Sequence, residues 1–197
     1  MTPMPAPVVR AWPGATVVCL GTGPSLTTAD VEHCRGLRVI AVNNAYTLAP
    51  WADALYAADL KWWKWHKGVP DFAGAKYSVE PTIWAGVHAL RNTGRTGLER
   101  DPSCLKTGYN SGYQAINLAV HLGAARIVLL GYDLKGDHFF GAHPDRSRPP
   151  FPLCLEAFPT LVAPLAEAGV EVINCTPGSS LRCFPMATLA SVLERAA

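Results

Sequence analysis

Apolar residues fall in short unbroken runs separated by stretches of mixed polarity. Residues 15–20 (ATVVCL), 37–42 (LRVIAV), 53–57, 126–131 (RIVLLG) and 170–174 read as strands, and weaker runs follow at 75–79 and 86–90. A run that is apolar at every position, not at every second one, marks a strand covered on both faces. Between these runs, 60–66 and 110–122 have helix-forming composition, and a short helical stretch leads from the first glycine turn through His33. In 110–122, Gly112, Ile116, Ala119 and Gly123 fall on one face, small enough for close packing on a sheet, with Gly123 as the C-terminal stop. Residues 91–108 read as mostly loop, 153–168 as a helix kinked or split by Pro159 and Pro164, and 186–197 as a last helix. Strands alternating with helices predict an α/β fold, a three-layer sandwich around a mainly parallel sheet. In such sheets ligands sit beyond the carboxyl ends of the strands. Those ends carry GTGPS at 21–25, Asn43-Asn44, Ala58-Asp59, Gly131-Tyr132-Asp133 and residues 174–179, so one ligand rim is expected.

Length and composition narrow the classes. The 197 residues suit a single domain, 1–197, with a Pro-rich segment at 1–13 and a lid loop at about 134–152. Hydrophobic residues make up 49% and charged residues 16%, which excludes a disordered or coiled-coil chain. A net charge of +2 is too balanced for a protein that holds nucleic acid mainly by charge, and no apolar stretch is long enough to span a bilayer. The Pro-rich start lacks the apolar core of a signal peptide, so the expected location is cytoplasmic, or the host cytoplasm for a phage protein. The six cysteines form no CxxC pair and no zinc-like spacing, and are expected as reduced thiols. Homo-oligomerisation is left open.

Candidate chemistry sits at the strand ends. Gly21-Thr22-Gly23-Pro24-Ser25 could bring backbone amides to an anion, although it is neither a dinucleotide fingerprint nor a Walker loop; Thr27-x-x-Asp30 offers ordinary capping instead. Asn43 and Asn44 are either turn residues or amides that read a base, sugar or phosphate. Asn110-Ser111-Gly112 opens the clearest helix, with Ser111-x-x-Gln114 as a capping box or the whole turn as a phosphate or ribose cradle. Asp133, at the end of an interior strand, suits a ribose hydroxyl or a metal. In the loop after it, His143 is the preferred general base and His138 the second choice, since a histidine titrates near neutrality. Lys61-Trp-Trp-Lys-Trp-His66 could stack bases but reads better as packing, and Arg91, Arg95 and Arg100 default to solvated loop charge.

The order GTGPSL, VNNAY, the Ala58-Asp59 strand end, NSGYQAINLAVHLGAARIVLLGYDL and VINCTPGSSL resembles a superfamily of Rossmann-like transferases. It includes bacterial lipooligosaccharide sialyltransferases, motility-associated flagellin glycosylation factors and archaeal 6-hydroxymethylpterin pyrophosphokinase-like proteins. The short HFFGAHP loop is most similar to that of small phage and prophage members. The resemblance covers about 17–180 and is most specific in the NSG-helix-IVLLGYD block. It implies a Rossmann-like nucleotide-binding domain in which Gly23, Pro24, Ser25, Asn43 or Asn44, Asn110, Ser111 and Gly112 contact a nucleotide, to which the reading of the glycine turn adds Gly21. His143 would correspond to the lid histidine; those enzymes usually carry Asn where this chain has Thr22. The implied activity is transfer of a sugar from a CMP-sugar-like donor to an acceptor that the sequence does not identify, and the absence of an Asp-x-Asp motif favours a reaction without a metal. Two alternatives accompany it. One is a Mg-ATP-dependent pyrophosphokinase or phosphotransferase with Asp59 and Asp133 as metal ligands. The other is a phage accessory protein that binds a nucleotide or glycan without turning it over.

Overall fold

The computed structural model describes residues 6–79, 84–142 and 150–194. Seven strands form one all-parallel sheet: β1 (Thr16–Leu20), β2 (Arg38–Val42), β3 (Ala54–Tyr56), β4 (Ala75–Ser78), β5 (Val87–Ala89), β8 (Arg126–Leu130) and β9 (Glu171–Asn174). Their order is β5-β4-β3-β2-β1-β8-β9. The chain therefore runs outward from β1 in one direction and later restarts on its other side with β8. Two-residue strands β6 (Arg91–Asn92) and β7 (Cys104–Leu105) form a separate parallel pair in the region expected to be loop.

The central strands β1, β2, β3 and β8 are apolar at every position after their first residue because both faces are covered. In β1, Val17 and Cys19 enter one core and Val18 and Leu20 the other. The first core is closed by α3 (Ser111–Leu122), α4 (Phe151–Ala157), α5 (Val162–Glu167) and the turn between the last two, through Ile116, Cys154, Leu165 and Phe158 respectively. The second is closed by α1 (Thr28–Glu32), α2 (Leu60–Trp65) and α6 (Leu189–Leu193) through Val31, Trp62, Trp63 and Val192. This is a Rossmann-like α/β fold of three layers. Each fully buried aliphatic side chain contributes roughly 1.5–3 kcal/mol to holding the layers together.

Local chemistry explains the boundaries. Gly123 ends α3 at φ 108°, a left-handed cap that a side chain would disfavour. The expected long helix at 153–168 is split: α4 passes through a tight turn at Phe158–Leu161, with Pro159 inside it, before α5 starts. The first helix is shorter than expected. It starts at Thr28, after Thr27 has accepted a hydrogen bond from the Asp30 N–H at 3.1 Å, so the glycine turn is not itself a helix N-terminus. The last helix covers only Leu189–Leu193 among the described residues.

Trp62 and Trp63 are core residues and Trp65 is exposed, so the tryptophan strip is mainly packing. Five cysteines are buried and Cys183 is half-buried. Burial pushes the thiols of Cys19 and Cys34 up to about 12. Arg91 and Arg100 pair with Asp101 and Glu167 at the surface, at 3.5 and 3.1 Å. No helix among the described residues is long and apolar enough to cross a membrane.

Candidate functional site

The turn after β1 and the turn after β8 meet where the strand order reverses, the position at which parallel sheets open a crevice. Backbone bonds join them: the Gly21 N–H donates to the Leu130 carbonyl at 2.7 Å and the Gly23 N–H to the Gly131 carbonyl at 2.8 Å. The approach is so close that a Cβ on Gly21 would lie 2.5 Å from the Gly131 carbonyl oxygen, and one on Gly23 would lie 1.9 Å from Asp133 Oδ2. These glycines are thus demanded by packing at the switch point as well as by anything bound above it.

Above this junction lies a crevice of about 310 Å³. Gly21, Thr22 and Gly23 form one wall, Asn43 and Asp59 a second, and Asn110, Ser111 and Gly112 a third, with Tyr132 at the base. Lys135, Asp137 and His138 close the side beside the last loop. Tyr132 is fully buried, its hydroxyl donates to the Gly112 carbonyl at 3.0 Å, and burial raises its pKa well above the ordinary tyrosine value. Asn43, Tyr109 and Leu134, all lining the crevice, have φ of 48°, 57° and 51°, a region that non-glycine residues seldom occupy and that clusters at functional sites. Asn43 carries a second cost. Its Oδ1 is shielded from solvent and has no hydrogen-bond donor among the described residues.

Most of the sequence-predicted residues meet here, but not all as expected. Gly21, Gly23, Asn43, Asn110, Ser111, Gly112 and His138 line the crevice. Asn44, Pro24, Ser25 and Asp133 do not. Asn44 Oδ1 accepts from the Trp62 indole at 2.7 Å, which ties it to α2. Asp133 is buried and its Oδ2 accepts from the Ser25 hydroxyl at 2.8 Å, so the pair braces the glycine turn from beneath. The α3 cap is Asn110, not Ser111: Asn110 Oδ1 accepts from the Gly112 and Tyr113 N–H groups at 2.7 and 3.3 Å. Gln114, expected in a capping box with Ser111, instead donates to the Thr107 carbonyl at 2.9 Å and accepts from the Tyr56 hydroxyl. Residues 174–179 also stand behind the rim and do not line it. Thr176 Oγ1 accepts from the Tyr132 N–H at 2.9 Å, and the Ser179 hydroxyl donates to the Tyr132 carbonyl at 2.6 Å. His143 lies outside the described residues.

Thr22, within the glycine turn, lines the crevice as well, and Lys135 and Tyr109 line it without having been singled out by the sequence. Tyr109 has an aromatic ring beneath the Arg95 guanidinium, 5.0 Å away, and Arg95 also donates to its hydroxyl at 3.1 Å. The Gly108-Tyr109 step before a helix cap was the available signal. Among the described residues no cluster of three or more His, Cys, Asp or Glu side chains could hold a metal ion. Asp59 lines the crevice, whereas Asp133 accepts from Ser25 and is not among the lining residues.

No known family model matches the chain, and no curated protein matches it in sequence.

Proposed function

We propose that the crevice binds a nucleotide and that the protein is a nucleotide-dependent transferase, most consistent with a glycosyltransferase that uses a CMP-sugar-like donor. Asn43 carries this reading. It closes β2 in a left-handed conformation and lines the crevice, and its shielded Oδ1 has no donor among the described residues. An unsatisfied buried acceptor costs about 1–3 kcal/mol, and a base amino group or a sugar hydroxyl would relieve it. The Gly21, Gly23, Gly112 and Tyr113 N–H groups are committed within the protein, so in this reading the donors suited to a phosphate are the Thr22 and Ser111 N–H groups and the Ser111 hydroxyl, on residues that line the crevice. Such a site needs no strongly basic surface, in keeping with a net charge of +2.

In this reading the phosphate of the donor rests between the glycine turn and α3, and the leaving nucleotide is stabilised by those groups. His143 takes the proton of the acceptor hydroxyl as the new glycosidic bond forms and the bond to the nucleotide phosphate breaks. Isothermal titration with CMP, UDP, GDP, ADP and ATP tests the reading. At least one nucleotide should bind, and His143→Ala should keep that affinity while losing transfer from the matching nucleotide-sugar. No binding by any member of the panel would overturn the proposal. Binding without turnover on a broad acceptor panel would leave a non-catalytic binding protein, and turnover of ATP that requires Mg²⁺ would favour the pyrophosphokinase class.

A further inference from the structure

The turn after β8 brings a cation to the crevice. Lys135 is the one lysine or arginine among the described residues that line it, and its ammonium makes no ion pair and no hydrogen bond with any described residue. The side chain is exposed, and its ammonium rests beside Gly178, where a Cβ would be 3.7 Å away. The backbone that carries it is fixed on both sides. Asp133 accepts from the Ser25 hydroxyl at 2.8 Å, and its carbonyl accepts from the Ser180 N–H at 2.9 Å. Leu134 turns through φ 51°, a conformation that leucine seldom adopts, and buries its side chain in the first core. Gly136 lies alongside the glycine turn, where a Cβ on it would be 3.7 Å from Pro24 Cγ, and the Phe139 N–H donates to the Thr22 carbonyl at 3.0 Å. Lys135 is therefore rooted beside the turn on which the phosphate rests in the reading above.

Transfer from a nucleotide-sugar breaks the bond between the anomeric carbon and a phosphate oxygen, and the electron pair stays with that oxygen. The acceptor oxygen bonds to the anomeric carbon, and its proton passes to the base. The phosphate thus arrives with one negative charge and departs with two. Neutral donors such as the Thr22 and Ser111 N–H groups gain little from the added charge, whereas a cation gains most, and only an interaction that strengthens along the reaction speeds it. We propose that Lys135 is the cation of this site: its ammonium donates to the phosphate oxygens and favours the departing nucleotide over the intact donor. The inference rests on the nucleotide reading above and adds to it the group that balances the developing charge.

The probe is whichever of CMP, UMP, GMP and AMP binds, followed by calorimetry and by ³¹P spectra of the bound nucleotide across pH. A phosphate monoester takes up its second charge at about pH 6, and on the unaltered protein it should do so at lower pH. In Lys135→Gln the transition should move back up by at least about half a pH unit, in step with the affinities. At about pH 8, where the monoester is fully charged, Lys135→Gln should bind it about tenfold more weakly, as expected for loss of a hydrogen bond between charged groups. Lys135→Arg, which keeps the charge, should stay within about threefold. The methyl ester of the same nucleotide, a diester with the single charge of the donor, should lose no more than about twofold in Lys135→Gln. A phosphate transition that Lys135→Gln leaves unmoved, or equal losses for monoester and diester, would overturn the inference while the nucleotide reading stands. If the unaltered protein binds none of these monophosphates, the two fail together.

Discussion

Asn43 and its neighbour Asn44 divide labour in a way that two identical side chains conceal. Asn44 accepts from the Trp62 indole and holds α2 in place, while Asn43 keeps a left-handed backbone and an unsatisfied oxygen at the crevice. Both features of Asn43 cost stability, and glycine would remove both, since it adopts φ of 48° without strain. Asn43→Gly is therefore expected to raise unfolding stability by about 1 kcal/mol while weakening nucleotide affinity about fivefold, the worth of one neutral hydrogen bond. Urea denaturation and titration calorimetry on the same preparation check the pair of effects. A loss of stability in the variant would mean that Asn43 is a structural turn residue. Ser25 and Asp133 are a contrasting case: both looked like ligand groups, yet each satisfies the other beneath the turn. Residue type at a strand end was legible; the direction of the side chain was not, because one positive φ at Asn43 changes which neighbour meets the crevice.

At the scale of elements, the apolar runs marked the strands of the sheet to within a residue or two at each end. The 91–108 segment was less legible, because its order comes from α3 and not from any local period. Asn117 receives the Glu99 N–H at 2.9 Å and donates to the Glu99 carbonyl at 3.0 Å, and His121 Nε2 lies 2.9 Å from the Cys104 carbonyl. His121 is buried, and burial, outweighing the Cys104 carbonyl and the nearby Glu99 and Asp101, holds its pKa below the ordinary histidine value. Burial lowers His66 as well. A lowered folded-state pKa means that the unfolded chain binds more protons in the interval between the two values. The stability this provides is complete above the ordinary histidine pKa of ~6.5 and is lost as pH falls towards and through the lowered value. His121→Gln should flatten the fall in urea midpoint between about pH 7.5 and about pH 5.5. A variant that retains the full pH dependence would show that His121 does not carry it.

Across the whole molecule, the strand order gives the glycine-rich loops a common purpose. Gly21, Gly23 and Gly131 let the turns after β1 and β8 approach within hydrogen-bonding distance at the point of reversal. Three side chains in uncommon backbone conformations converge on the crevice above that junction. Residues 174–179 brace Tyr132 from behind, so even loops that do not touch the crevice hold its floor. The sequence showed that these segments gather at one end of the sheet, because strand polarity alone requires it. It did not separate lining residues from bracing ones, a distinction that depends on which loop lies in front. Backbone chemical-shift mapping with CMP, in ¹⁵N-labelled protein, tests the central claim most directly. The account predicts that the amides of Gly21, Thr22, Gly23, Asn43, Ser111 and Gly112 shift together and saturably, while those of the opposite sheet edge stay still. Saturable shifts confined to another surface, or none at any of these six, would contradict it.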